Sequence, residues 1–179
     1  MKILLIGPQG SGKSTQGKLL SQHLGIPYIS TGDIFRQKAQ QNTDEGKKIK
    51  QILDSGQLVD DETTGQLVKE RLENPDVQNG YILDGYPRTS EQVSLFDVID
   101  SSPDYILYLK IPDNMAIERL MKRGRADDTE EIIKNRLDLY KLKTEALLSF
   151  LKGYGKLKEI SGEGEVEEVQ NRIKEALNG

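Results

Sequence analysis

The apolar positions of this chain fall into short continuous runs separated by longer stretches with helical spacing. Lys2–Ile6 is almost wholly apolar and reads as a buried strand. Ser14–Leu24 reads as a helix with Gly17, Leu20 and Leu24 on one face, ended by Gly25. Pro27-Tyr28-Ile29 starts a short second strand. Further helices are predicted from Asp33 to about Gln41, over Glu45–Ser55 with Ile49, Ile52 and Leu53 as its stripe, and over Asp61–Leu72, whose leading acids suit a positive helix end. Tyr81-Ile82-Leu83 is a third strand, Glu91–Ile99 a helix, Tyr105–Ile111 a fourth strand and Asn114–Lys122 a helix. Thr129–Lys152 reads as one long helix. Leu157–Ile160 is the last strand, and Val166, Val169, Ile173 and Leu177 share a face of the final helix.

Continuous apolar strands alternating with helices predict an α/β fold: a doubly wound, five-stranded parallel sheet covered on both faces. Ligands then bind at the carboxyl ends of the strands. Three of those ends carry chemistry: the turn after the first strand, Ser30-Thr31-Gly32-Asp33 after the second, and Asp84-Gly85-Tyr86-Pro87-Arg88 after the third. The stretch 31–59 holds helices and no strand, so it reads as a helical insertion over a core that spans 1–179. At 179 residues one domain with a small insertion is expected.

Composition narrows this little. With 35% hydrophobic and 30% charged residues, the chain reads as soluble and globular. No apolar stretch is long enough to span a membrane, and Met1-Lys2 running straight into a strand leaves no room for a signal peptide. The absence of cysteine excludes disulfides, a thiolate nucleophile and a cysteine zinc site, and fits a cytoplasmic location. A net charge of −4 argues against a nucleic-acid surface, so any phosphate-binding cations must be clustered locally. The one histidine, His23, lies in the first helix and suits a surface or packing role.

The turn after the first strand decides the chemistry. Gly7-Pro-Gln-Gly-Ser-Gly-Lys13-Ser14-Thr15 fits the P-loop pattern, with a strand before it and a helix after it. Such a loop turns its backbone N–H groups inward on phosphate oxygens, with the helix's positive end facing the same anion. Lys13 supplies a mobile cation and Ser14 a hydroxyl for Mg²⁺. A nucleoside triphosphate is therefore the expected ligand. Asp84 reads either as an Asp-Gly turn residue or as the acid that holds Mg²⁺ through water; the P-loop beside it favours the second.

Arg36, Arg88, Arg119, Arg123, Arg125 and Arg136 flank the predicted loops. Arg119 and Arg123 share a helix face and repel each other unless an anion lies between them. A helix C-terminus that attracts cations explains Arg123 equally well, and Arg125 tips the balance toward an anion site. Arginine suits the task because its fork grips phosphate bidentately. Asp128 reads as an N-cap with Glu131 as the capping-box acid, and Asp127 as a partner for an arginine fork.

Taken together these motifs resemble the adenylate kinases, a family of nucleoside monophosphate kinases, over nearly the whole chain. The resemblance implies Mg²⁺-dependent, reversible phosphoryl transfer from ATP to AMP giving two ADP, by a monomer. It implies that Gly10, Ser11, Gly12, Lys13, Ser14 and Thr15 hold the ATP phosphates, with Arg119 on one side of the adenine and the backbone near Gly164 on the other. Thr31, Gln57, Leu58, Val59 and Gln92 would surround the AMP base, beside the loop Gly85-Tyr86-Pro87-Arg88. Arg36 and Arg88 would grip the AMP phosphate, and Arg123, Arg125 and Arg136 would stabilise the group in flight. Thr31, Thr89 and Gln92 point to AMP, because pyrimidine relatives usually carry Ala at the first of these positions and Asn after Pro-Arg. The Gln92 amide can both donate and accept along one purine edge. The alternatives are a UMP/CMP kinase, another small-molecule P-loop kinase, or a nucleotide-binding regulator of weak activity.

Two departures stand out. Ser14 occupies a position where the family commonly has Gly. Only Gly124 separates Arg123 from Arg125, so the lid is expected to be a short turn at 123–126, shorter than in other short-lid members. With so little roof, water exclusion should depend on closure of the 31–59 arm.

Overall fold

The computed structural model describes residues 1–100, 103–124, 129–153 and 155–178, and only the backbone of residues 145, 146 and 149. Five parallel strands form one sheet: β1 (Lys2–Ile6), β2 (Tyr28–Ser30), β3 (Tyr81–Asp84), β4 (Tyr105–Lys110) and β5 (Leu157–Ser161), in the order β2-β3-β1-β4-β5. Register runs Leu4↔Leu83 and Leu4↔Ile106 on either side of β1, so the P-loop leaves the middle of the sheet.

Alternate residues of each strand feed separate cores. Leu4, Ile6, Leu83 and Ile106 join Val68, Phe96 and Leu151 on one face. Ile3, Leu5, Ile82 and Leu107 join Leu20, Val169 and Ile173 on the other. The strands are near-continuous apolar runs because both faces are covered, and each such side chain, taken wholly from water, contributes about 1.5–3 kcal/mol.

The helices are α1 (Lys13–Leu24), α2 (Thr31–Ala39), α3 (Asp44–Asp54), α4 (Asp61–Leu72), α5 (Ser90–Ile99), α6 (Asp113–Arg123), α7 (Glu130–Leu139), α8 (Ala146–Lys152) and α9 (Val166–Asn178). Their ends follow capping side chains more than apolar periodicity. The Ser30 hydroxyl accepts from the Asp33 N–H, which starts α2 at Thr31, two residues before Asp33. Thr43 and Asp60 cap α3 and α4 in the same way. Thr129 caps α7 by accepting from the Ile132 N–H, so the cap is not Asp128, which itself lies outside the described residues.

The single helix expected over Thr129–Lys152 is interrupted. Tyr140–Glu145 is a π-turn between α7 and α8, and it brings Tyr140 and Thr144 to the cleft described below. Val166, expected on the buried face of α9, is 41% exposed, while Val169 and Ile173 are buried.

Helices α2 and α3 and the start of α4 enclose a small core of their own, Ile49, Val59 and Leu67, with Phe35, Ile52 and Leu53 packed against it. The far end of this unit rests on α7. Arg136 Nη2 donates to the Leu53 carbonyl at 3.4 Å, and a Cβ added to Gly56 would come within 3.2 Å of Ile132. Among the described residues no helix is long and apolar enough to cross a membrane.

Candidate active site

The carboxyl ends of β1, β2 and β3 open into one cleft of about 510 Å³. The P-loop forms its floor. Gly10 has φ +84°, and a Cβ there would lie 2.6 Å from the Ala116 carbonyl oxygen, so only glycine permits the loop to pass so close to α6. Helix α1 has no side-chain cap and no acid in its first turn, whereas α2, α3, α4, α5 and α7 each have both. The positive end of α1 is thus left available to an anion.

Lys13 is buried and curls back over its own loop. Its ammonium donates to the carbonyls of Gly7 at 2.6 Å and Pro8 at 2.7 Å, and more weakly to Ser11 Oγ. Burial lowers its pKa to about 8; Asp84 opposes the shift, and the positive charges of Arg88 and Arg123 add to it. A phosphate entering the loop would reverse that balance.

Asp84, 5% exposed, receives two hydroxyls on one oxygen. Ser14 Oγ donates to Oδ2 at 3.0 Å and Tyr28 Oη donates to the same atom at 2.5 Å. Burial pushes the Tyr28 phenol up, and the Asp84 charge pushes it further, so it stays a donor. Hydroxyl and carboxylate oxygens suit a hard cation such as Mg²⁺. Among the described residues no cluster of three or more His, Cys, Asp or Glu forms a cage, so a cation here would draw its other ligands from phosphate and water.

The opposite wall is an arginine-bearing loop held by many small contacts. Gly85, with φ +83°, would place a Cβ 2.8 Å from both Arg88 Nη2 and Thr31 Oγ1. Arg88 Nε donates to the Gly85 carbonyl at 2.8 Å, and Thr144 Oγ1 donates to the Arg88 carbonyl at 3.3 Å. Burial lowers the Arg88 pKa, Asp84 opposes the shift, and Arg136 reinforces it. Arg36 pairs with Asp33 one turn back on α2.

Most of the residues singled out from the sequence meet in this cleft. Gly10, Gly12, Lys13, Ser14, Thr15, Arg36, Gln57, Leu58, Val59, Asp84, Gly85, Pro87, Arg88, Arg119, Arg123 and Arg136 line it. Arg119 Nη1 donates to the Gly162 carbonyl at 3.0 Å, which ties α6 to the loop carrying Gly164.

Others stand behind the lining. Ser11 is buried within the P-loop, and Thr31 donates to the Asp84 and Gly85 carbonyls. Tyr86 is fully buried, its ring edge-on to Phe96. Gln92 is 2% exposed, and both ends of its amide are engaged by Arg88 N–H and Asp61. Thr89, cited above as a mark of AMP, caps α5 by accepting from the Gln92 N–H at 3.1 Å. Arg125, Asp127 and most of the expected short lid lie outside the described residues; Gly124 closes α6 in a left-handed conformation.

Sequence reasoning passed over Phe35, Tyr140 and Thr144 in the lining, and Tyr28 behind Asp84. None of these carried a sequence signal, since it is the pairing of β2 with β3 that brings the Tyr28 phenol to Asp84.

Comparison with known proteins agrees with the geometry. A model of the adenylate kinase family matches residues 5–156. The adenylate kinases of Nocardia farcinica and Mycobacterium tuberculosis are each 42% identical over 181 positions, covering 99% of this chain and 99% of theirs. That of Bifidobacterium longum is 42% identical over 97% of each chain. The family match and the full-length identities agree: the chain belongs to the adenylate kinase family.

Proposed function

We propose that this nucleoside monophosphate kinase transfers the terminal phosphate of ATP to AMP, reversibly and with Mg²⁺, to give two ADP. The observation that carries the reading is one cleft lined by a P-loop with Lys13, by Arg88, Arg123 and Arg136, and by Gln57–Val59. That is a site for two phosphorylated ligands facing each other.

On the ATP side, Gly10–Thr15 and the α1 N-terminus take the phosphates, and Lys13 exchanges the Gly7 and Pro8 carbonyls for phosphate oxygens. The adenine would lie between Arg119 and the 162–164 loop. Ser14 and Asp84 are the side chains that would hold Mg²⁺, which when bound neutralises charge between the phosphates. On the AMP side, Arg36 and Arg88 take the phosphate, while Thr31, Gln57–Val59, the Gly85–Pro87 loop and Gln92 enclose the base.

Arg123 and Arg136, joined by Arg125, then stabilise charge spread over the group in transfer. No side chain need act as a strong base, because the acceptor is itself a phosphate. The arm, residues 31–59, moves as the AMP-binding subdomain, and the reading includes a cytoplasmic monomer. A coupled ADP-formation assay with AMP, UMP, CMP and GMP tests the function. AMP should lead in kcat/KM by well over tenfold, since a wrong base leaves buried polar groups unpaired. Preference for a pyrimidine nucleotide would refute it.

A further inference from the structure

One pair of side chains joins the two flanks of the AMP side. Asp61 opens α4, two residues past Val59, and Gln92 sits in the first turn of α5, four past Arg88. Gln92 Nε2 donates to Asp61 Oδ1 at 2.7 Å. Gln92 Oε1 accepts from the Arg88 N–H at 2.7 Å. The backbone of Gln92 is pinned as well: its N–H donates to Thr89 Oγ1 at 3.1 Å, and its carbonyl accepts from Tyr86 Oη at 3.0 Å.

We propose that Asp61 is a positioning residue that fixes which way round Gln92 presents its amide, and thereby selects a 6-amino over a 6-oxo purine nucleotide as acceptor. The proposal rests on the reading of Gln92 as a contact to the base. An amide is nearly symmetric in shape, and turning it over exchanges a donor for an acceptor. Here it has one satisfied orientation. A carboxylate only accepts and a backbone N–H only donates, so nitrogen must face Asp61 and oxygen must face Arg88.

The amide keeps one hydrogen and one lone pair, in an order set by those two bonds. Adenine offers a donor at N6 and an acceptor at N1. A 6-oxo purine offers the reverse, an acceptor at O6 and a donor at N1. One amide orientation serves only one of these edges. To serve the other, the amide would have to turn its N–H toward the Arg88 N–H and its lone pairs toward the Asp61 carboxylate. Burial makes both contacts costly. Gln92 by itself carries no such preference.

The test compares AMP with IMP, which has the 6-oxo edge without the extra amino group of GMP. In D61A the Arg88 N–H still holds the amide oxygen, so the ratio of kcat/KM for AMP over IMP should fall by roughly fivefold, through a raised KM for AMP more than a lowered kcat. D61N keeps an oxygen that can accept from Gln92, so its ratio should stay within about twofold of the parent. If D61A does not fold, D61S removes the same long-reaching acceptor and is read identically. A ratio in D61A within about twofold of the parent, while Q92A lowers it, overturns the proposal, and so does an equal fall in D61N. If Q92A also leaves the ratio unchanged, the assignment of Gln92 to the base fails and the proposal falls with it. That outcome leaves AMP phosphorylation itself standing.

Discussion

The two walls of the cleft are built by opposite means. The ATP wall is a local structure: residues 7–15 turn directly from β1, in the middle of the sheet, into α1, and rest on a core that fills both sheet faces. The AMP wall is assembled from segments far apart in the chain, namely Thr31–Arg36, Gln57–Val59, Gly85–Gln92, Arg136 and Thr144, and much of it hangs on the small core around Ile49, Val59 and Leu67. The Gly85–Gln92 loop is buried against the main core, so only the arm, which rests on its own small core, is expected to open locally at low cost. The difference predicts a rigid phosphate grip and a more compliant arm on the acceptor side.

Removing a cation from either wall should have the largest effect. Both K13A and R88A should lower kcat by about a thousandfold, because each removes charge from the transferring group. They should differ in binding: K13A weakens ATP and spares AMP, and R88A does the reverse. Calorimetric titration with each nucleotide checks this, and loss of both affinities in either variant would break the division.

Core truncations should separate the walls next. L107A cuts the sheet core and should cost about 2–5 kcal/mol of global stability, read as a lowered melting midpoint. I49A makes a comparable cavity in the arm's own core, yet it should raise KM for AMP by about tenfold with little change in ATP affinity, as expected of an arm that opens as its own unit. Equal melting shifts with unchanged KM would show that the arm is not a separate unit.

A smaller effect comes from pH. The free Lys13 ammonium titrates at about 8, and a bound phosphate favours its charged form. The folded, ligand-free value is thus the depressed one, and ATP binding must take up a proton above pH 8. ATP affinity should be full below pH 8 and fall by up to about tenfold per pH unit above it, until the value of the complex is reached. AMP affinity should hold across the same interval if Arg36 and Arg88 grip its phosphate as proposed, since arginine stays charged. Binding heats at pH 8.5 that do not depend on the buffer's ionisation enthalpy would contradict this.

The smallest expected signal is ATP hydrolysis without AMP. If the lid is as short as expected, water exclusion would depend on the arm, which leans on α7 through Arg136 and Leu53. Phosphate release should exceed the buffer blank, and a rate equal to the blank would sink the idea.

Much of this was readable beforehand, and the reason differs by element. The strands were legible because a strand covered on both faces must be apolar throughout, as Ile3–Ile6 and Ile106–Leu109 are. The P-loop was legible because its function needs glycines, a lysine and a hydroxyl at fixed spacing along one stretch of chain. Helix starts shifted where a side chain out of phase with the apolar stripe made the cap, as Ser30 and Thr129 do. The π-turn at Tyr140–Glu145 left no mark, since Tyr140 and Thr144 sit four apart, as in an ordinary helix.

By itself, then, the sequence determined the α/β class, the triphosphate loop, the arginines and the family likeness, because each depends on residue type at short range. Only the tertiary structure decided the strand order, the two hydroxyls on Asp84, the Thr144 clasp on the Arg88 carbonyl and the Asp61–Gln92 bond. Those hydrogen bonds join residues 31 to 70 positions apart, and contacts so remote impose no periodicity on the chain.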